Sequence, residues 1–506
     1  MNASFAASQP PSFGLRCSGA TSGGVRPALL IKPDGIIESR PLQTMRQIVA
    51  PGLRRMLGTV ALVAVSHPSR ERANECASCY RRSKFASAVF PRSHNNETRQ
   101  SSYRRGKTPT LHSTQEPYFT NSRLYVKYGY MIERSLWLDR IAAAWAKRSV
   151  IWLSGVRRVG KTTLARMLPK AVYINCDLPS AARALADPEL FLEAQSPGAI
   201  LILDEVHRLG DPSRLLKIAA DEYPSLKILA TGSSTLAATR KFRDSLTGRK
   251  QAIHLCPVLW EECLQPFDVR DLDRRLLYGG LPEALLSEHK DPAFMNEWID
   301  SFYARDIQEL FAIRNREGFL SLLRLLLRQS GGQVDYSQLA KLSELSRPTV
   351  KAHMEAMQIA HAIHLLPPFH GGGRREIVGR SKCYAFDTGF VTFEKGWERI
   401  RDEDRGVLWE HLVLDTLRFR FADRDIFYWQ DKSRREVDFI LRRGNDRIDT
   451  VECKVNPDRV SAASIESFRA LYPSGNSYVV SPAIKQPYRI RRGGQVLTVC
   501  STEHFG

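Results

Sequence analysis

The sequence predicts an α/β protein: a parallel sheet around a glycine loop, then helical segments, then a second α/β module. Three observations carry this. IWLSGVRRVGKTTLA at 151–165 passes from an apolar strand pattern through two glycines into a helical pattern. AILILDEVHRL at 199–209 is a continuous apolar run interrupted by two adjacent carboxylates. DIFYWQ at 425–430, EVDFIL at 436–441 and DTVECKV at 449–455 read as three successive strands.

With 506 residues the chain is long enough for two to four domains, and 43% hydrophobic with 25% charged residues excludes wholesale disorder. The net charge of +20 is unevenly placed: residues 1–130 hold 19 Lys and Arg against 6 Asp and Glu. That segment is rich in Ser, Arg, Gly and Pro and shows no sustained periodicity. It is expected to be a disordered or transit-like leader, with Met131 as the functional start. LGTVALVAV at 57–65 is too short to span a bilayer, and Cys76 and Cys79 form a single CxxC with no second pair at zinc spacing. No membrane span is expected after Met131, and the scattered cysteines suggest a reducing, cytoplasmic setting.

Within 151–165, SVIWLSG is a buried strand, GVRRVG a tight loop and KTTLARML a helix start. Gly155 and Gly160 let the backbone curl so that the amides of Gly155, Val156, Arg157, Arg158, Val159, Gly160, Lys161, Thr162 and Thr163 can face a phosphate, helped by the helix N-terminus. Lys161 would reach the β- and γ-phosphates and Thr162 would supply a hydroxyl to Mg²⁺, which predicts ATP as ligand. Such a loop is the mark of the P-loop NTPase sheet.

The run at 199–209 then delivers Asp204 and Glu205 to the loop end of the sheet. Asp204 is expected to hold Mg²⁺ through water, and Glu205 to orient or deprotonate the attacking water. A third strand, LKILATGSS at 226–234, brings Thr231 and Ser233 to the same end, as γ-phosphate or water contacts. SLTGR at 245–249 offers Arg249, either a surface arginine or an arginine finger acting on a neighbouring subunit's nucleotide.

The motifs GVRRVGKTT, ILILDEVHRL, LATGSS, SLTGR, YGGLPEA, YARDI, FDTGF and EVDFIL followed by VECK occur in this order. On these, residues 131–500 resemble the AAA+-type ATPases of bacteria and archaea that carry a C-terminal nuclease-like domain. The resemblance implies an ATPase core, a small helical segment and a C-terminal module of unsettled activity; relatives often assemble into rings, so a homo-oligomer is a candidate state. The expected division is an ATPase core at 131–255, its helical extension at 256–315, a third unit at 316–370 and the C-terminal module at 371–506.

In the third unit, GFLSLLRLLLRQSGGQ, VDYSQLAKLSE and SRPTVKAHMEAMQIAHAI read as three helices, the last capped by Ser346. With the glycine-bearing HLLPPFHGGG they resemble a winged helix-turn-helix. Arg347, Lys351 and His353 are expected on the outward face of the third helix, where such folds meet DNA; protein docking is the other use of this fold.

In the last module, GVLWEHLVLDTLRFRF reads as a helix carrying Glu410. Alternation places Val451, Cys453 and Val455 on one strand face and Glu452 with Lys454 on the other. Val437 and Phe439 are expected to point inward together, leaving Asp438 outward. Residues 400–500 thereby resemble the PD-(D/E)xK, restriction-endonuclease-like fold. That resemblance implies that Asp438 and Glu452 chelate a divalent metal, that Lys454 stabilises developing charge and that Glu410 assists. The same pattern also fits an ordinary antiparallel pair with Glu and Lys on its wet face.

Two functional readings follow. One is a Mg²⁺-dependent ATPase coupled to DNA binding or processing; the other is a nucleotide-switched interaction protein whose nuclease-like module is an inactive docking surface.

Overall fold

The computed structural model describes residues 126, 127, 130–232, 240–308, 311, 313–371, 379–444 and 447–505. Ser233, Cys76, Cys79 and nearly all of the expected leader lie outside the described residues.

The first sheet has five strands: β1 Val150–Ser154, β2 Ala171–Asn175, β3 Ile200–Asp204, β4 Lys227–Thr231 and β5 Lys250–His254. Their order is β2-β3-β4-β1-β5, and every pairing is parallel. Both faces are covered, as the unbroken apolar runs require. Ile151, Leu153, Ile202 and Leu229 enter one core, while Val150, Trp152, Leu201, Leu203, Ile228 and Ala230 enter another. All five strands end at one edge, so Ser154, Asp204, Thr231 and His254 are gathered there; this is where α/β sheets bind ligands.

Helices Pro292–Ser301 and Phe302–Gln308, the latter a π-helix, connect this sheet to the rest. Trp298 lies between Phe302 and Phe386, with ring centroids 5.1 and 4.5 Å away. Helices Arg316–Arg328, Tyr336–Leu342 and Arg347–Ile359 follow, capped by the side chains of Asn315, Asp335 and Ser346. An antiparallel sheet of β6 Gly332–Gln333, β7 Ile363–Leu366 and β8 Lys382–Ala385, in the order β6-β8-β7, packs with them. That sheet continues past residue 370.

His353 is not outward-facing. It is 5% exposed and its ring lies 5.4 Å from that of Phe319. Val350, His353, Met354 and Met357 follow the i, i+3, i+4, i+7 rule of one buried stripe, which overrides the imidazole's polarity. Arg347 and Lys351 are exposed as expected.

The C-terminal sheet contains β9 Ile426–Gln430, β10 Glu436–Arg442, β11 Ile448–Cys453, β12 Ser477–Val480, β13 Tyr488–Arg492 and β14 Gln495–Cys500. The order is β9-β10-β11-β12-β14-β13, with β11, β12 and β14 parallel and the other pairs antiparallel. β9 and β10 contain an irregularity: Phe427 pairs with Ile440 but Trp429 with Val437. Two steps on β9 thus match three on β10, a bulge that breaks alternation. Val437 and Phe439 therefore do not share a face: Val437 packs with Phe369, Trp429, Ile440 and Phe468, and Phe439 enters the central core. The segment after β7 adds to the β9 edge, with the Phe369 amide donating to the Tyr428 carbonyl at 2.6 Å and the Tyr428 amide to Pro367 at 3.1 Å. Among the described residues no helix is long and apolar enough to cross a membrane.

Candidate functional site

The loop after β1 is built by its glycines. Gly155 has φ +146° and a Cβ there would stand 2.7 Å from the Leu255 carbonyl oxygen; Gly160 caps helix Lys161–Arg166 at φ 101°. Only glycine accepts both demands without strain. Lys161 folds back over the loop, its Nζ donating to the Gly155 and Val156 carbonyls at 2.9 and 3.1 Å. Burial lowers its pKa, against the raising charges of Glu205 and Asp306.

Asp204 is the hub of the opposite wall. It is 3% exposed and accepts three hydroxyls: Thr162 at 2.9 Å and Tyr173 at 2.5 Å on Oδ2, and Thr231 on Oδ1. Thr231 in turn accepts the Glu205 amide at 3.1 Å. Glu205 adopts a left-handed φ of 55°, turning off the strand line, and its Oε2 lies 3.2 Å from His207 Nδ1. Burial pushes the Glu205 carboxyl up, but the His207 bond and the charges of Lys161 and Arg157 outweigh it and hold the group below its usual range. It is therefore kept ionised. Gly232 leaves room for this arrangement, since a Cβ there would approach Trp152 to 2.9 Å and His207 Nδ1 to 3.3 Å.

The donor set suits Mg²⁺: a hydroxyl from Thr162 and a carboxylate from Asp204, both hard oxygens, meet beside the phosphate loop. The loop arginines face elsewhere. Arg157 Nε donates to Asp306 at 3.0 Å, Arg158 pairs with Glu297, and the Trp298 indole donates to the Arg157 carbonyl at 2.9 Å. Buried Arg134 braces the loop from behind, donating to Glu262 at 2.8 and 2.6 Å, to Val159 at 3.3 Å and to Cys256 at 3.2 Å.

Arg249 stands away from its own chain's loop. It precedes Lys250, which pairs with Val150, so it sits at the start of the strands, about 16 Å along the sheet from Ser154. There its Nε donates to Asp221 at 2.6 Å.

The C-terminal candidates also meet, as ion pairs. Lys454 Nζ donates to Glu452 Oε2 at 2.8 Å and to Asp438 Oδ2 at 3.4 Å, while Asp438 Oδ2 accepts the Cys453 amide at 2.7 Å. Glu452 is 5% exposed, which removes the wet-face reading for that residue, and its Oε1 is buried without a partner. Glu410 accepts Lys382 at 3.1 Å and the Tyr384 hydroxyl, and Lys382 also reaches Glu436 at 2.5 Å. Burial, and then the Asp438 charge, push Glu452 up to about 8 against the pull of Lys454. Burial pushes Glu410 up to about 7, although Lys382 pulls it down.

Lys454 holds both Asp438 and Glu452, Lys382 holds Glu410, and among the described residues no group of three or more His, Cys, Asp or Glu side chains could hold a metal. Asp438, Glu452 and Lys454, the set expected to serve a divalent metal, thus stand together.

Sequence reasoning missed Tyr173, His207, Arg134, Asp306, Lys382 and Tyr384. For Lys382 and Tyr384 a signal existed, since alternate residues of KCYA share a strand face. His207 lies two residues from Glu205 in the same motif, whereas Tyr173, Arg134 and Asp306 meet their partners across distant chain segments and left no local signal.

Comparison with known proteins agrees with the first sheet. Residues 147–264 match the family described as AAA domain, covering β1 to β5, Lys161, Asp204 and Glu205. Residues 269–399 match a domain of unknown function (DUF8612), and residues 405–501 another (DUF4143). The chain is 26% identical over 327 residues to the uncharacterized protein Rv2008c of Mycobacterium tuberculosis, covering 62% of this chain and 71% of that one. It is 25% identical over 335 residues to the uncharacterized protein MJ1544 of Methanocaldococcus jannaschii, covering 60% and 74%. Among solved structures, the RuvB Holliday junction branch migration motor of Thermotoga maritima aligns at 16% identity and a TM-score of 0.26, over 47% of this chain and 90% of that one. The first sheet is thus similar to an AAA domain.

Proposed function

We propose that the chain hydrolyses ATP in a Mg²⁺-dependent reaction and couples it to DNA binding. The observation that carries the hydrolysis reading is the Asp204 hub: Thr162, Tyr173 and Thr231 converge on one buried carboxylate beside Lys161, with an ionised Glu205 on the next residue. The loop amides receive the phosphates, and the Lys161 ammonium exchanges the Gly155 and Val156 carbonyls for phosphate oxygens. Glu205, oriented by His207, aligns the attacking water and accepts its proton. Thr162 and Asp204 would hold Mg²⁺, which supplies charge neutralisation on the phosphates when bound. Arg249 can serve as a finger only toward a neighbouring copy, so that role requires a homo-oligomer. A cytoplasmic setting with access to ATP belongs to the same reading.

For the DNA half, helices Arg316–Arg328, Tyr336–Leu342 and Arg347–Ile359 with β6, β7 and β8 serve as a winged helix, presenting Arg347 and Lys351. The second reading, a nucleotide-switched interaction protein with an inactive nuclease-like module, is favoured for the C-terminal sheet by the lysines that occupy Asp438, Glu452 and Glu410. ATP hydrolysis by the purified chain and by Lys161→Ala, with and without single-stranded, duplex and branched DNA, tests both. Stimulation by DNA supports the first reading. Hydrolysis indifferent to DNA supports the second, and no lysine-dependent hydrolysis overturns the ATPase.

A further inference from the structure

β13 is the outer edge of the C-terminal sheet, paired only with β14. Residues 482–502 around it contain Lys485, Arg489, Arg491 and Arg492 and no Asp or Glu. All four cations are exposed, and among the described residues none has a side-chain hydrogen bond or ion pair. Elsewhere the fold neutralises many of its surface arginines: Arg249 with Asp221, Arg316 with Asp300, Arg405 with Asp273, Arg435 with Asp431. This edge is left charged.

Alternation sends Arg489 and Arg491 to one side of the strand and Tyr488 and Arg492 to the other, so the charge surrounds the edge. Tyr488 is 44% exposed beside them. The turn is anchored, because the Gly494 amide donates to Glu466 at 2.9 Å. Register also places the edge relative to the buried acids. Tyr488 pairs with Val499, Val499 with Val479 and Val479 with Glu452, so Tyr488 is level with Glu452 three strands away, about 14 Å.

We propose that this edge grips the backbone of single-stranded nucleic acid, the arginines taking phosphates and Tyr488 offering a face to an unpaired base. The inference rests on the DNA reading above and assigns it a surface that the helix Arg347–Ile359 does not include. Three of the four cations are arginine, whose planar fork matches phosphate oxygens, and an exposed ring among cations is the combination that single strands use. The plain alternative is that the charges only keep an open edge from pairing with another copy.

The test uses the full chain, with fluorescence anisotropy of labelled single-stranded and duplex oligonucleotides across a salt series, and anionic phospholipid vesicles as a third arm. Substituting Arg489→Ala, Arg491→Ala and Arg492→Ala together should make the slope of log affinity against log salt shallower by about 2 for the single strand. Tyr488→Ala should weaken single-strand binding and spare the duplex. ATP hydrolysis without DNA and the melting temperature should not change, which separates lost contacts from lost folding. The proposal is overturned by an unchanged slope, by vesicle binding that alone depends on the arginines, or by self-association of the triple variant with nucleic-acid binding intact. If the parent chain binds nucleic acid and the triple variant binds it equally well, only this surface assignment fails. If the parent binds none even at low salt, the DNA reading fails with it.

Discussion

The Thr162 hydroxyl donates to Asp204 Oδ2 across 2.9 Å, joining the first turn of the helix after the phosphate loop to the end of β3. Forty-two residues of chain separate the two, and the parallel sheet brings them together. Thr162→Val keeps the shape and removes the donor. Metal-nucleotide affinity should fall roughly 10- to 100-fold, as for other metal-supporting contacts, with the melting temperature nearly unchanged because Tyr173 and Thr231 still hold Asp204. Calorimetric titration of Mg²⁺ with a non-hydrolysable nucleotide measures it; equal affinity in both proteins would remove Thr162 from the metal site.

Glu205 and His207 make a separable pair. Glu205→Gln should bind nucleotide normally and hydrolyse it about 10² to 10⁴ times more slowly, the usual contribution of a general base. His207→Ala should act more subtly. The His207 bond helps depress the Glu205 pKa, so its loss lets that pKa rise. The acid limb of the kcat profile should then move to higher pH. A limb that stays in place would show that Glu205 is not the titrating base.

Arg134 is 4% exposed and forked onto Glu262. Arg134→Met should destabilise the chain by about 3–5 kcal/mol, because it strands a buried carboxylate rather than merely deleting a contact. The double change Arg134→Met with Glu262→Leu should recover much of the loss. Urea unfolding of the three proteins decides this, and an additive double variant would disprove the coupling.

Stability should depend on pH through the C-terminal acids. The folded Glu452 carboxyl stands at about 8, above its ordinary 4.5. Between those values the native state keeps a proton that the unfolded chain releases, so stability is greatest at the acidic end and declines as pH rises toward 8, by at most about 1.4 kcal/mol per pH unit. Lys454 stays protonated in both states over that window and adds no slope. Glu452→Gln should flatten the decline between pH 5 and 8. Parallel melting-temperature curves for parent and variant would contradict it.

The phosphate loop and the acids of β3 were legible because their chemistry is local in the chain. Gly155, Gly160, Lys161 and Thr162 lie within eight residues, and an unbroken apolar run announces a strand buried on both faces. The helix start at Ser346 was legible for a similar reason, its cap using an amide three residues on. His353 was misread because residue polarity was weighed above helical period. The Val437 and Phe439 expectation failed because alternation assumes an unbroken ladder, and a bulge is decided by the partner strand.

By itself the sequence determined the parallel sheet, its glycine loop and the placement of Asp204 and Glu205 at the strand end, since strand, turn and helix signals there are short-range and cooperate. Tertiary structure alone decided that Tyr173 and Thr231 complete the Asp204 hub, and that Arg249 stands at the far end of the sheet from its own loop. It also decided that Lys382 reaches Glu410 and Glu436 and that Lys454 reaches Asp438. The physical reason is that the topology sets which distant segments stand beside Asp204, Arg249 and Glu410, and that juxtaposition is written in no single stretch of chain.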